Sequence, residues 1–258
     1  MKYFLFFFLT PFIFTSAQVD STFKSDVKDF ISLSSDFYTS PFRFDSNDWI
    51  KLSAVVGITG IATLADKNIR DFSQRNKNNF TGSIFSADKY YYVEFMGAGI
   101  LVFYGYGLIY ENTNVRKLAV KLTEATLLAS SIILVTKVVI GRGRPYKQGT
   151  QYYTNPLSFD NDYNSFPSGH TALAFAYSTV MANEADNIFW KVGWYSLAGL
   201  VGYARIYHNQ HWFSDVAMSA AIGYFTGEFV SNHNSDDNDK TQLNLFPTPD
   251  GFALQLRF

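Results

Sequence analysis

The chain contains no cysteine, which excludes a disulfide framework and any thiolate metal site, and leaves the redox compartment unreadable from cysteine usage. Histidine is scarce: four in 258 residues, without clustered carboxylates around them, argue against a zinc centre. There is no surplus of either charge. With 21 basic and 22 acidic residues the formal net charge is −1, so the chain lacks the basic footprint a nucleic-acid partner requires, and that class is set aside. What the chain has in quantity is apolar and aromatic residues, 47% and 18%, enough to bury a sizeable core in one large domain.

The N-terminus reads as an export signal. Lys2 is followed by the charge-free run from Tyr3 to Val19, dense in Phe and Leu, and Thr15-Ser16-Ala17 stands just before Gln18. That is a basic n-region, an apolar h-region and a small-residue cleavage site, placing a signal peptide over 1–17. An uncleaved anchor is the alternative. Over 18–48 the stretch from Val27 to Tyr38 spaces Val27, Phe30, Ile31, Phe37 and Tyr38 as an amphipathic helix would.

Six segments then share one pattern, an uncharged run rich in Gly, Ala, Ser, aromatic and branched residues. They are Leu52 to Ala65, Phe95 to Tyr110, Ala125 to Thr136, Thr171 to Asn183, Val192 to Ala204, and Val216 to Gly227. Small residues at close intervals, without period-two alternation, favour tightly packed helices. The expectation is an all-α bundle of about six helices over 49–230. Each uncharged run is shorter than the roughly 20 apolar residues of a bilayer crossing, although several extend if a terminal charge such as Lys191 snorkels. Tyr90-Tyr91-Tyr92, Tyr110, Trp190, Trp194 and Trp212 suit either an interfacial belt or a core. Topology turns on the run from Leu52 to Ala65: if it spans, the loop after Thr136 faces the cytoplasm, and if not, the outside. The loop with Lys67, Arg70, Arg75 and Lys77 favours the first arrangement, and Arg116 with Lys117 the second.

Behind the bundle, 231–241 is a polar linker. Over 242–258, Leu243 and Leu245, a turn at Pro247-Thr248-Pro249-Asp250-Gly251, and alternation at Phe252, Leu254, Leu256 and Phe258 predict a β-hairpin.

Three short motifs carry chemistry. Lys137 closes a helical pattern broken by Gly141, Gly143 and Pro145, so Arg144 on the following turn can fold back beside it. A basic, solvated loop would look the same. In Pro167-Ser168-Gly169-His170 a turn runs into a helix whose first N–H groups favour an anion, and Gly169 allows close approach. An ordinary helix cap explains Ser168 equally well but leaves His170 unexplained. In the third, Arg205 precedes His211, and Asp215 follows it by one helical turn, so the carboxylate can accept from one imidazole nitrogen and leave the other nucleophilic. His208 has no acidic residue four positions on and reads as surface.

Together these residues resemble the signature of the type 2 phosphatidic acid phosphatase superfamily, which also includes bacterial non-specific acid phosphatases and vanadium haloperoxidases. The match is Lys137, six residues, Arg144-Pro145; then Pro167-Ser168-Gly169-His170; then Arg205, five residues, His211, three residues, Asp215. It departs at Ala204, where the family usually has Ser, so one hydroxyl contact is missing. The resemblance implies a site at one end of the bundle, with His211, His170 and Asp215 catalytic. His211 would carry a phosphohistidine, Asp215 would orient it and His170 would protonate the leaving oxygen. Lys137, Arg144, Ser168, Gly169 and Arg205 would hold the phosphoryl group, with neither metal nor other cofactor. The implied function is hydrolysis of a lipid phosphate or pyrophosphate in the bacterial cell envelope, by an integral membrane protein whose site faces the periplasm. The alternatives are a soluble periplasmic acid phosphatase of broad specificity and a catalytically silent membrane scaffold or lipid-binding protein.

Overall fold

The computed structural model describes residues 16–86, 93–147, 150–233, 242–248 and 251–257. The n- and h-regions of the expected signal peptide, and Tyr90-Tyr91-Tyr92, lie outside the described residues. The helices are α1 Ser16–Thr39, α2 Ser46–Ala62, α3 Asp66–Arg75, α4 Asn79–Ser86, α5 Val93–Ile109, α6 Thr113–Ile140, α7 Gly169–Asn183, α8 Ile188–Tyr207 and α9 Phe213–His233. The backbone of Gln242–Thr248 (β1) pairs antiparallel with that of Gly251–Arg257 (β2).

Four of the six apolar runs lie wholly within a helix, while Leu52 to Ala65 and Phe95 to Tyr110 end just past theirs, and the described residues are mostly helical as expected. Among the described residues, α1, α3 and α4 add to the helices that carry these runs. The segment holding Lys67, Arg70 and Arg75, expected as a loop, is α3. Its apolar residues are too few for a stripe, but it packs on the end of α8 through hydrogen bonds: Gln74 Nε2 donates to the Ile206 and Tyr207 carbonyls at 3.2 Å. The first three residues of the expected linker, Ser231 to His233, continue α9.

Local chemistry sets the helix ends. Asp45 caps α2, accepting from the Asp48 N–H at 2.9 Å while the Asp48 carboxylate accepts from the Asp45 N–H. Asn112 caps α6 and Asn187 caps α8. Helix α6 stops at Gly141, in the left-handed region with φ 57°, where a Cβ would lie 1.8 Å from the Asn155 carbonyl oxygen. Only glycine fits there, and the chain turns off the bundle.

The core runs along α7, whose Ala174, Ala176 and Val180 are buried in one cluster with Leu122, Ala125, Leu128 and Ala129 of α6. On its other side α9 comes unusually close. A Cβ on Gly223 would lie 2.2 Å from the Ala172 carbonyl oxygen, and one on Gly227 would lie 2.6 Å from Thr179 Cβ. This small-residue ridge lets two backbones touch, so dispersion holds the seam. Trp190 and Trp194 pack on this core, whereas Trp212, a candidate for an interfacial belt, is 1% exposed. Its indole N–H donates to the Gly143 carbonyl at 3.0 Å, with Arg70 and Arg142 over the ring. It is a strut beneath the site.

Candidate active site

Four helix ends and one helix junction converge at one end of the bundle: the last turn of α6 with Lys137, the start of α7 with Ser168 to His170, the end of α8 with Arg205, the first turn of α9 with Asp215, and the step from α2 to α3 at Asp66. The segment from Gly141 to Ser168 closes over them. It is held by backbone bonds from Asn155 N–H to the Gly141 carbonyl at 2.7 Å, Gly143 N–H to Tyr153 at 3.0 Å, Arg144 N–H to Asp162 at 2.9 Å and Ser165 N–H to Arg142 at 3.0 Å.

His211 is 4% exposed, on the turn between α8 and α9. Its Nδ1 lies 2.6 Å from the Ser165 carbonyl oxygen and 3.7 Å from Asp215 Oδ2. The one-turn spacing does bring the carboxylate to the Nδ1 side of the ring, as the sequence suggested, while the nearer acceptor there is the Ser165 carbonyl. A carbonyl can only accept, so Nδ1 carries the proton and the Nε2 lone pair is free. The Asp215 carboxylate is fully buried and spoken for: Oδ1 accepts from Arg142 Nη1 at 2.5 Å, and Oδ2 accepts from Ser165 Oγ at 2.5 Å and the Trp212 N–H at 2.8 Å.

The expected cations gather here. Lys137 Nζ donates to the Asn164 carbonyl. Arg144 donates from Nε to the Asn161 carbonyl at 2.8 Å and from Nη1 to Gln210 Oε1 at 2.6 Å. Both acceptors are neutral, so the guanidinium keeps its charge for an anion. The Ser168 N–H bonds the Asp215 carbonyl at 3.4 Å, and its hydroxyl accepts from Thr171 Oγ1 at 2.9 Å rather than from a first-turn N–H. It is not a side-chain cap. A Cβ on Gly169 would meet Ile133 at an ordinary 3.8 Å.

Electrostatics tie the two histidines to these cations. Burial pushes His170 down to about 3, helped by the charges of Arg205, His211, Lys137 and Arg144. Burial also pushes His211 down to about 4, opposed by Asp215 and reinforced by Lys137 and Arg144. Both rings are therefore neutral at neutral pH. His208, read from sequence as a surface residue, is half-buried with Nε2 2.9 Å from the Phe85 carbonyl, and so fastens α4 to the end of α8.

Sequence reasoning missed Asp66, Arg142, Ser165, Gln210 and Ser214. Arg142 stands in the same Gly-Arg-Gly-Arg-Pro run as Arg144, but only the fold shows that the two side chains go to different places. The contacts of Ser165 run through its carbonyl as much as its hydroxyl, which residue type cannot signal.

Residues 118–238 match the PAP2 superfamily. A lipid A 1-phosphatase of Porphyromonas gingivalis is 45% identical over 67 residues, 25% of this chain and 15% of that protein, so this chain spans a small part of the relative's length. Two solved structures share the fold. Aquifex aeolicus LpxE matches with a TM-score of 0.51 at 23% identity, over 65% of this chain and 94% of that one. The transmembrane PAP2 type phosphatidylglycerolphosphate phosphatase of Bacillus subtilis matches with a TM-score of 0.53 at 16% identity, over 72% of this chain and 96% of that one.

Proposed function

From the premise that residues 118–238 form a PAP2 superfamily domain, we propose that the protein is a lipid phosphate phosphatase that works through a phosphohistidine on His211. One observation carries the reading: a buried imidazole whose Nδ1–H is committed to the Ser165 carbonyl, leaving Nε2 unprotonated at the end of the bundle where three cations meet.

The chemistry follows from those groups. Lys137, Arg144, Arg205 and the N-terminus of α7 hold the phosphoryl oxygens and offset the charge that spreads over them in the transition state. His211 Nε2 donates its lone pair to phosphorus, the bond to the leaving oxygen breaks, and that oxygen takes a proton from His170. Water then attacks the phosphohistidine and gives its proton back to His170, while the P–N bond breaks and inorganic phosphate leaves. Burial, helped by the cations of Arg205, Lys137 and Arg144, keeps His170 neutral when no phosphate is bound; a phosphate dianion cancels much of that field and raises its proton affinity.

The membrane reading rests on two helical stretches, Ser46–Arg75 and Thr113–Ile140, which are long and apolar enough to cross a bilayer. Only 11% of the apolar window of the first is buried in the protein, which supports a bilayer as its surroundings. Val56, Ile58, Ile61 and Leu64 on it, and Leu134, Val135 and Val139 on α6, point outward. The substrate class is thus a lipid of the bacterial envelope that carries a phosphate or pyrophosphate, as the lipid phosphatases among the relatives suggest.

Inorganic phosphate release by the detergent-solubilised protein, with chelator present, tests this on phosphatidic acid, a polyprenyl pyrophosphate and a soluble aryl phosphate. Turnover of a lipid that disappears in His211→Ala supports the proposal. Preference for the aryl phosphate would reassign the protein to broad-specificity soluble chemistry, and no release from any of the three would refute phosphatase function.

A further inference from the structure

We propose that Arg142, gripped between Asp66 and Asp215, is a positioning residue for His211, and that Asp66 is the counter-charge on which this arrangement depends. The inference rests on the reading of His211 as nucleophile and extends it to two residues that the three motifs do not include.

Arg142 is 5% exposed. Every guanidinium nitrogen donates: Nε to the Gln151 carbonyl at 2.9 Å, Nη2 to the same carbonyl and to Asp66 Oδ2, both at 2.7 Å, and Nη1 to Ser214 Oγ at 2.7 Å and Asp215 Oδ1 at 2.5 Å. Such a fork is rigid because the plane of the guanidinium fixes all its bonds at once. Asp66 is fully buried and accepts from the Ser214 N–H on Oδ1 and from the Ser214 hydroxyl on Oδ2, each at 2.7 Å. Thus Asp66 holds both the cation and the first turn of α9, on which Asp215 stands.

Ser165 transmits this order to the nucleophile. Its N–H donates to the Arg142 carbonyl at 3.0 Å, its hydroxyl donates to Asp215 at 2.5 Å, and its own carbonyl accepts from His211 Nδ1 at 2.6 Å. Ser165, whose carbonyl fixes the tautomer of His211, is therefore held by the Arg142 backbone directly and by the Arg142 side chain through Asp215.

Charge gives Asp66 a second effect. One guanidinium between two carboxylates leaves the buried cluster with a net charge of −1 beside the imidazole. Forming a bond from Nε2 to phosphorus makes that ring cationic, and a neighbouring negative charge in a low-dielectric site favours it. Without Asp66 the cluster would be neutral. The phosphate cradle lies on other residues, and a carboxylate can only repel a phosphate, so loss of the Asp66 charge should not weaken phosphate binding.

Asp66 also lies outside residues 118–238, the part that matches the superfamily. It immediately follows the apolar run of α2, so the clamp fastens the Ser46–Arg75 stretch to the reacting end of the bundle.

The experiment compares the full-length protein with Asp66→Asn and Ser214→Ala, using phosphatidic acid turnover for kcat and KM and inorganic phosphate as competitive inhibitor for Ki. Asp66→Asn keeps the shape and an acceptor for the Ser214 N–H but removes the charge. The expected result is a fall in kcat of roughly tenfold or more, with KM and phosphate Ki within about twofold of the parent. Ser214→Ala, a smaller perturbation that decides the matter if Asp66→Asn does not fold, should lower kcat about threefold to tenfold with the same unchanged Ki. Unchanged kcat in both variants, or kcat and Ki shifting together, would overturn the proposal. The parent protein and His211→Ala run in the same assay: a parent without turnover refutes the proposed function itself, whereas an active parent with unaffected variants refutes only the clamp.

Discussion

Arg142 and Arg144 stand two positions apart on one loop and do opposite work. Arg142 is buried with two carboxylates on its guanidinium, whereas Arg144 is half-buried and held by a carbonyl and an amide oxygen. A cation already neutralised by carboxylates has little to offer a phosphate, but it can hold a framework. A cation steered by neutral acceptors keeps its charge and gains a fixed direction. Which role each takes was decided by what the fold brought to it, Asp66 from the α2–α3 junction and Gln210 from the turn after α8.

The sharpest way to break this contrast is to remove each guanidinium in turn. Arg142→Leu strands two buried carboxylates, and denaturant unfolding should show a loss of about 3–5 kcal/mol. Arg144→Leu strands no charge, so its unfolding midpoint should barely move while phosphate release falls roughly 10²- to 10³-fold. Similar stability losses in the two variants would erase the distinction. A smaller effect is expected where neither arginine reaches. Gly223→Ala places a methyl 2.2 Å from the Ala172 carbonyl oxygen, which should cost about 1–3 kcal/mol of stability without altering the kcat of molecules that remain folded.

Titration separates the two arginines further. The folded-state affinities of His170 and His211 for protons are pushed down to about 3 and about 4, below the 6.5 of a free imidazole. The unfolded chain therefore binds more protons in this window, and stability that is fully present above pH 6.5 drains away as pH falls towards 4. Arg144 is among the causes of both depressions. In Arg144→Leu both rings should titrate higher, by NMR, and the acid loss of stability should shrink. Saturating phosphate should raise His170 in the same direction. The smallest change is expected for Ala204→Ser, which restores a hydroxyl at a buried site and should alter kcat/KM by no more than about threefold.

Much of this was legible in the sequence because it is local. Apolar runs between charges locate six of the helices, and fixed spacings such as Lys137 to Arg144 and His211 to Asp215 put the right side chains at one end of the bundle. What sequence could not supply is pairing across distance. Asp66 is 76 positions from Arg142, in a segment where it reads as one more charge after an apolar run. The acceptor for His211 is a backbone oxygen, invisible in residue identity. Trp212 suited an interfacial belt or a core equally, and only the loop after α6, folded over it, decides for burial. His208, judged by its lack of a nearby carboxylate, found its partner in the Phe85 carbonyl instead.

The central claim, that His211 Nε2 attacks phosphorus, is open to one direct measurement: acid-quenched single turnovers of lipid labelled on phosphorus, followed by mapping of protein-bound label. The account predicts transient label that is acid-labile and alkali-stable, mapping to His211 and absent from His211→Ala. Turnover without protein-bound label at any quench time, or label on another residue, would contradict it.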